Sequence, residues 1–137
     1  MAPRSEPILS PVAVPAAALR VLVVDDEPMI RRTVARMLKD AGLEIVEASS
    51  GGEVVTRYQA GERYDVVLSD VRMPGGDGPS AARAVRALAP ATRIVLMSGH
   101  AGSLDVAEPG LVDAFVPKPF ALDQLLAAVR GTDGATP

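Results

Sequence analysis

Five side chains with chemical potential stand at or just past the ends of short apolar runs. Val21-Leu22-Val23-Val24 ends in Asp25-Asp26, Tyr64–Ser69 ends in Asp70, Arg93–Met97 leads to Ser98, and Lys118 follows Ala114-Phe115-Val116. Continuous apolar runs of this length read as strands buried on both faces. In an open parallel sheet the carboxyl ends of the strands share one edge, where ligands bind near a topological switch point. Residues far apart in sequence would therefore meet there. Three carboxylates held together repel one another, so one takes up a proton or a cation neutralises the group. Three aspartates and one lysine sum to −2, which a divalent cation cancels. Oxygen-only donors, without cysteine or a nearby histidine, select a hard ion such as Mg2+ over zinc. Such a site suits a transferred phosphoryl group. Asp70 would be the attacking carboxylate and form an acyl phosphate. Ser98 would donate a hydrogen bond to one phosphoryl oxygen, and Lys118 would pair with another.

The elements that position these residues alternate along the chain. Pro28 suits a helix start after the Asp25-Asp26-Glu27 turn. Ile30, Val34, Met37 and Leu38 follow at the spacing of one buried stripe, with Arg31, Arg32, Arg36 and Lys39 on the other face and Gly42 as the stop. Ile45-Val46 with Ala48 reads as a second strand, and residues 52–60 as a helix ended by Gly61. Met73-Pro-Gly-Gly-Asp-Gly78 is dense turn chemistry, after which Pro79 opens an Ala-rich helix to Ala89. Residues 104–111 contain Pro109-Gly110, so any helix there is short. The last helix is predicted to bury Leu122, Leu125, Leu126 and Val129. Strand–helix alternation with apolar strands implies an α/β fold, a parallel sheet with helices on both faces.

Composition narrows the function classes. The 137 residues carry 14 Lys and Arg against 17 Asp and Glu, a formal charge of −3, with 48% hydrophobic residues, no Cys and one His. That length suits one domain, and so much apolar content collapses into a core. Disulfides, thiolate metal sites and thiol nucleophiles are excluded. The acidic balance argues against general nucleic-acid binding. The Pro- and Ala-rich residues 1–18 are interrupted by Pro7, Pro11 and Pro15 and read as a tail or linker rather than a signal peptide or membrane span. Residues 19–131 form the expected domain, and 132–137 a C-terminal tail. A cytoplasmic protein, without nucleic-acid or membrane partners and either monomeric or weakly dimeric, is the expectation.

Taken singly, each residue has an ordinary role: Asp26-Glu27-Pro28 as a helix start, Asp70 as a turn residue, Lys118 as a solvated charge, Phe115 as core. The conjunction at the strand ends carries the reading. Val-Leu-Val-Val-Asp25-Asp26-Glu27-Pro28, Ser-Asp70-Val-Arg-Met-Pro-Gly, Met-Ser98-Gly and Val-Pro-Lys118-Pro-Phe together resemble the receiver domain of two-component response regulators, over about Leu19 to Arg130. The phrasing around Ser98 and Lys118 is similar to receivers attached to hybrid sensor kinases. The resemblance implies a flavodoxin-like (CheY-like) five-stranded parallel sheet in the order 2-1-3-4-5; the family usually carries a full fourth helix, and Pro109-Gly110 makes a short or irregular one the expectation here. It implies that Asp70 is the phosphoacceptor in a phosphorelay, taking its phosphoryl group from a phosphohistidine on a sensor histidine kinase or histidine phosphotransfer protein. Mg2+ would be held by Asp26, Asp70 and the backbone carbonyl of Arg72, with Asp25 assisting through water. Ser98 and Phe115 would be the switch pair acting on the surface of the fourth helix, fifth strand and fifth helix, and the Lys118-Pro119 bond would be cis. Arg72 and His100 would flank the phosphoryl group and set how fast water removes it. On this reading the domain is not an enzyme beyond its own phosphotransfer and dephosphorylation.

Three other functions are weighed against this one. An aspartyl-nucleophile phosphatase normally carries a second Asp two residues after the first; here Glu27 follows Asp25 and Arg72 follows Asp70. A receiver-fold binding module would work without phosphorylation, and the intact Asp25, Asp26, Asp70, Ser98 and Lys118 set counts against it. A flavin site would need a Ser/Thr/Gly-rich loop where Asp-Asp-Glu-Pro stands.

Overall fold

A computed structural model describes residues 19–71, 78–98 and 110–131. The expected tails (1–18 and 132–137), Arg72, His100 and most of the expected short helix at 104–111 lie outside these residues. The elements run β1 Arg20–Val24, α1 Pro28–Asp40, β2 Glu44–Ala48, α2 Gly51–Gln59, β3 Val66–Asp70, α3 Gly78–Leu88, β4 Arg93–Ser98, β5 Ala114–Pro117 and α4 Leu122–Arg130. All strand pairs are parallel and the order is β2-β1-β3-β4-β5, with β2 and β5 at the edges. This is the expected 2-1-3-4-5 arrangement.

The alternation of side chains along each strand divides the core into two layers. Val21 and Val23 of β1, Val66 and Leu68 of β3, and Val95 and Met97 of β4 face α1 and α4, meeting Val34, Leu38, Leu125 and Val129. Leu22 and Val24, with Val67, Ile94 and Leu96, face the other way and meet Val54 and Tyr58 of α2 and Ala81, Ala82 and Val85 of α3. The central strands β1, β3 and β4 carry apolar runs because both of their faces are covered, whereas the edge strand β2 bears Glu44 and Glu47.

Local chemistry sets the helix limits. Pro28 occupies the first turn of α1, where its missing N–H costs nothing. Gly42, at φ +98°, lets the chain leave α1 through a left-handed turn. Ser50 caps α2 by accepting from the Glu53 N–H at 3.1 Å, and the Glu53 carboxylate accepts from the Ser49 N–H in return. Strand β3 starts two residues later than the apolar pattern predicts, because its register with β1 begins at Val21 opposite Val66. Tyr64 is buried all the same, its carbonyl accepting from the Thr92 hydroxyl at 3.2 Å.

Two helix faces differ from the sequence expectation. In α1 the buried residues are Val34, Ala35 and Leu38, while Ile30 is 39% exposed. At about 100° per residue, the arc spanned by those three is centred away from Ile30 and includes Arg31. Ile30 lies at its margin, in a shallow groove with Met29, Thr33, Val34, Met37 and Phe120. In α4 the buried face is Leu125, Ala128 and Val129, and Leu122 is exposed. The small Ala128 lets that helix turn toward the sheet on a side that a stripe of large residues does not mark. No helix among the described residues is long and apolar enough to cross a membrane.

Candidate functional site

The carboxyl ends of β1 and β3, and the segment after β5, deliver the acidic site. Asp25 follows β1 directly, is fully buried, and donates its N–H to the Ala48 carbonyl of β2 at 3.2 Å. Its Oδ1 accepts from the Glu27 N–H at 3.0 Å, an Asx-type turn that opens toward α1. Its Oδ2 is buried and has no hydrogen-bond partner among the described residues. Asp70 closes β3, and its Oδ1 accepts from the Val71 N–H at 2.9 Å. Lys118 Nζ stands 3.4 Å from Asp70 Oδ2 and 3.8 Å from Asp25 Oδ2. Carboxylate oxygens of Asp25, Asp26 and Asp70 lie within 4.8 Å of one another. The backbone N–H of Lys118 donates to the Ser98 carbonyl at 2.7 Å, tying the chain after β5 to the end of β4. The Lys118-Pro119 bond is cis.

Burial pushes the Asp25 carboxyl above the ordinary carboxylate range, and the negative charges of Asp70 and Asp26 push the same way. The Glu27 N–H and the Lys118 ammonium oppose the rise without cancelling it. Among the described residues the site brings three carboxylates to one lysine.

Asp25, Asp26, Asp70 and Lys118 are brought together as the strand-end pattern predicts. Ser98 ends β4, buried, and Phe115 on β5 pairs with Leu96, two residues before Ser98. Period-two alternation puts Ser98 and Phe115 on the same face of the sheet, the one that covers α2 and α3.

Two further residues bear on the site. Gly78, at the start of α3, donates its N–H to the Val71 carbonyl at 2.9 Å. A Cβ built there would stand 2.6 Å from the Asp70 carbonyl oxygen, 3.1 Å from Leu96 Cδ2 and 3.3 Å from Val71 Cα. Only glycine lets α3 approach the end of β3 so closely. The other is Arg31, expected on the solvent face of α1. Its Nη1 donates to the Asp25 carbonyl at 2.9 Å and its Nε to Glu47 Oε1 at 2.9 Å. Angular position could have marked it, since Arg31 falls within the arc of Val34, Ala35 and Leu38 rather than opposite it.

With this geometry in place, the comparisons with known proteins converge. Residues 21–130 match the response regulator receiver domain family. The chain is 37% identical over 114 residues to the DNA-binding transcriptional regulator NtrC of Salmonella typhimurium, covering 80% of this chain and 24% of that protein. It is 38% identical over 114 residues to the sensor kinase CckA of Brucella abortus, covering 80% of this chain and 12% of that protein. The chemotaxis protein CheY of Listeria monocytogenes is 34% identical over 116 residues, covering 82% of this chain and 96% of that protein. The chain therefore spans only a small part of some relatives and nearly the whole of another. Among solved structures, the response regulator protein TrrA of Thermotoga maritima in complex with Mg(2+)-BeF superposes with a TM-score of 0.75 at 33% identity, covering 82% of this chain and 97% of that one. The chemotaxis response regulator CheY4 of Vibrio cholerae does so with a TM-score of 0.75 at 30% identity, covering 83% and 98%. The chain belongs to the response regulator receiver domain family, the signalling domain of two-component systems.

Proposed function

We propose that this receiver domain accepts a phosphoryl group on Asp70 from a phosphohistidine of a sensor histidine kinase or histidine phosphotransfer protein. The observation that carries the reading is the placement of Lys118 Nζ, 3.4 Å from Asp70 Oδ2, beside the buried Asp25 carboxylate. Asp70 Oδ1 is engaged by the Val71 N–H, so Oδ2 is the oxygen available to attack. The new O–P bond forms as the P–N bond to imidazole breaks. The imidazole nitrogen keeps the electron pair and takes a proton from water. Lys118 pairs with the phosphoryl oxygens as they leave the donor.

The donor set fits a Mg2+ ion. Its side-chain atoms are all oxygens, and the buried Asp25 Oδ2 has no hydrogen-bond partner among the described residues, the situation of an oxygen that a hard cation would satisfy. When bound by Asp25, Asp26 and Asp70, Mg2+ neutralises the carboxylates and opposes charge on the transferred group. The Mg(2+)-BeF complex of TrrA, at 33% identity, supports that assignment. Ser98 and Phe115 act as the switch pair: the buried hydroxyl turns to a phosphoryl oxygen and the ring on the neighbouring strand follows inward, changing the surface of β5 and α4.

Incubation of the chain with a small phosphodonor and Mg2+, followed by intact mass, tests the reading. The expected result is one added phosphoryl group on the wild type and none on Asp70→Asn. Equal addition to both proteins would assign the acceptor elsewhere.

A further inference from the structure

Arg31 does not serve the solvent face, and its contacts suggest a task. One guanidinium bridges three elements: it sits on α1, grips the carbonyl of Asp25 at the end of β1, and pairs with Glu47 on the edge strand β2. Its side chain is 15% exposed, so both contacts are partly shielded from water, where fork-shaped charge-assisted bonds hold direction well. Asp25 is otherwise fixed by its N–H to Ala48 and by Oδ1 to the Glu27 N–H. With the carbonyl also held, Oδ2 is left facing Asp70 and Lys118.

We propose that Arg31 is a positioning residue for the acidic site: by clamping the Asp25 carbonyl and anchoring to Glu47, it sets the affinity of the three aspartates for a divalent cation. This rests on the reading of the site as a Mg2+ site. It also makes a prediction opposite in sign to simple electrostatics. As a nearby positive charge Arg31 repels a cation, so its removal on charge grounds alone would tighten binding. As a clamp its removal loosens binding, since partners that orient metal ligands typically contribute about 10- to 100-fold in affinity.

The experiment titrates Mg2+ by calorimetry into the full chain as wild type, Arg31→Met and Arg31→Lys, with circular dichroism confirming that each is folded. Both variants are expected to bind Mg2+ about tenfold more weakly. Lysine keeps the charge but loses the planar fork whose Nε and Nη1 hold Glu47 and the Asp25 carbonyl in fixed directions. A small phosphodonor supplies a second readout: the Mg2+ concentration giving half-maximal phosphorylation should rise in step, while the rate at saturating Mg2+ returns close to wild type. Unchanged or tighter binding by Arg31→Met, or wild-type binding by Arg31→Lys, would overturn the proposal. Arg31→Lys decides the matter alone if the methionine variant does not fold. No Mg2+ binding by the wild type would instead overturn the metal assignment itself, a result distinct from failure at Arg31.

Discussion

Asp25 gives three of its four polar groups to the fold: the N–H to Ala48, the carbonyl to Arg31 and Oδ1 to Glu27. The fourth, Oδ2, is buried close to two other carboxylates. Because burial raises the Asp25 pKa, the folded chain holds that proton more tightly than the unfolded chain does. The resulting stabilisation is present in acid, below the unfolded value, and is lost as pH rises through the raised folded value. Asp25→Asn removes this charge while keeping an oxygen for the Glu27 N–H. Without Mg2+ it should stabilise the chain at pH 7 by about 1 kcal/mol, a rise of roughly 4–8 °C in melting temperature, with the gain shrinking toward pH 4. With Mg2+ present the order should narrow or reverse, since one ligand is lost. Thermal melts across pH, with and without Mg2+, check both halves. A lower melting temperature for the variant in metal-free buffer at pH 7 would contradict the electrostatic account.

At the scale of elements, two contacts fix how helices meet strand ends. Gly78 brings α3 against the Asp70 carbonyl, and a Cβ at 2.6 Å from that backbone oxygen has no flexible neighbour to displace. Gly78→Ala is expected to cost about 2–3 kcal/mol in urea unfolding, in the range of overpacked sites. It should also slow phosphorylation by displacing Asp70; an unchanged denaturation midpoint would refute the close approach. Arg86 does the corresponding work at the opposite end of α3. Its Nη1 donates to the Pro90 and Thr92 carbonyls, and its Nη2 to the Leu111 carbonyl and to Asp113. Asp113 in turn accepts from the Ile94 N–H at 2.7 Å, so one side chain joins α3, the start of β4 and the entry to β5. Arg86→Met keeps the aliphatic stem and loses the fork. It should destabilise the chain by about 2 kcal/mol and accelerate amide exchange at Ile94 and Asp113 before exchange at β1. Uniform exchange along the sheet would show that no local clamp had been lost.

Across the whole molecule, neighbouring residues of one strand serve opposite layers. Leu22 faces α2 and α3, whereas Val23 faces α1 and α4. Neither layer can melt without exposing the back of the same strand, so the described domain should unfold in one step. Leu22→Ala and Val23→Ala should each lower stability, the leucine by about 2–5 kcal/mol, and each should keep a single transition seen alike by circular dichroism and tyrosine fluorescence. Separate transitions would mean the layers are independent. Much of this architecture is legible in the sequence, because the central strands are built on unbroken apolar runs that give way to polar residues at Asp25, Ser69-Asp70 and Ser98. That change also exposes the site, whose aspartates and Lys118 stand where apolar runs end. Arg31 and Gly78 are harder to read. A charged residue on a helix suggests solvent until its angle is compared with Val34, Ala35 and Leu38. Gly78 is one glycine in a run of turn residues, and only a contact made across space, with the Asp70 carbonyl, sets it apart. Ile30 and Leu122 mislead in the opposite way: both are apolar and in phase with a plausible stripe, yet both sit in first turns beside faces centred elsewhere.

The sheet order also determines how other chains can approach. An open sheet ends in two strands with unpaired backbone groups, an invitation to strand addition and aggregation. Here one border strand carries Glu44 and Glu47, while the other is only four residues long and runs into Pro117-Lys118-Pro119. Charge on one margin and proline on the other discourage an incoming strand. The hydrogen-bond ladder at either margin is therefore a poor template for an added strand.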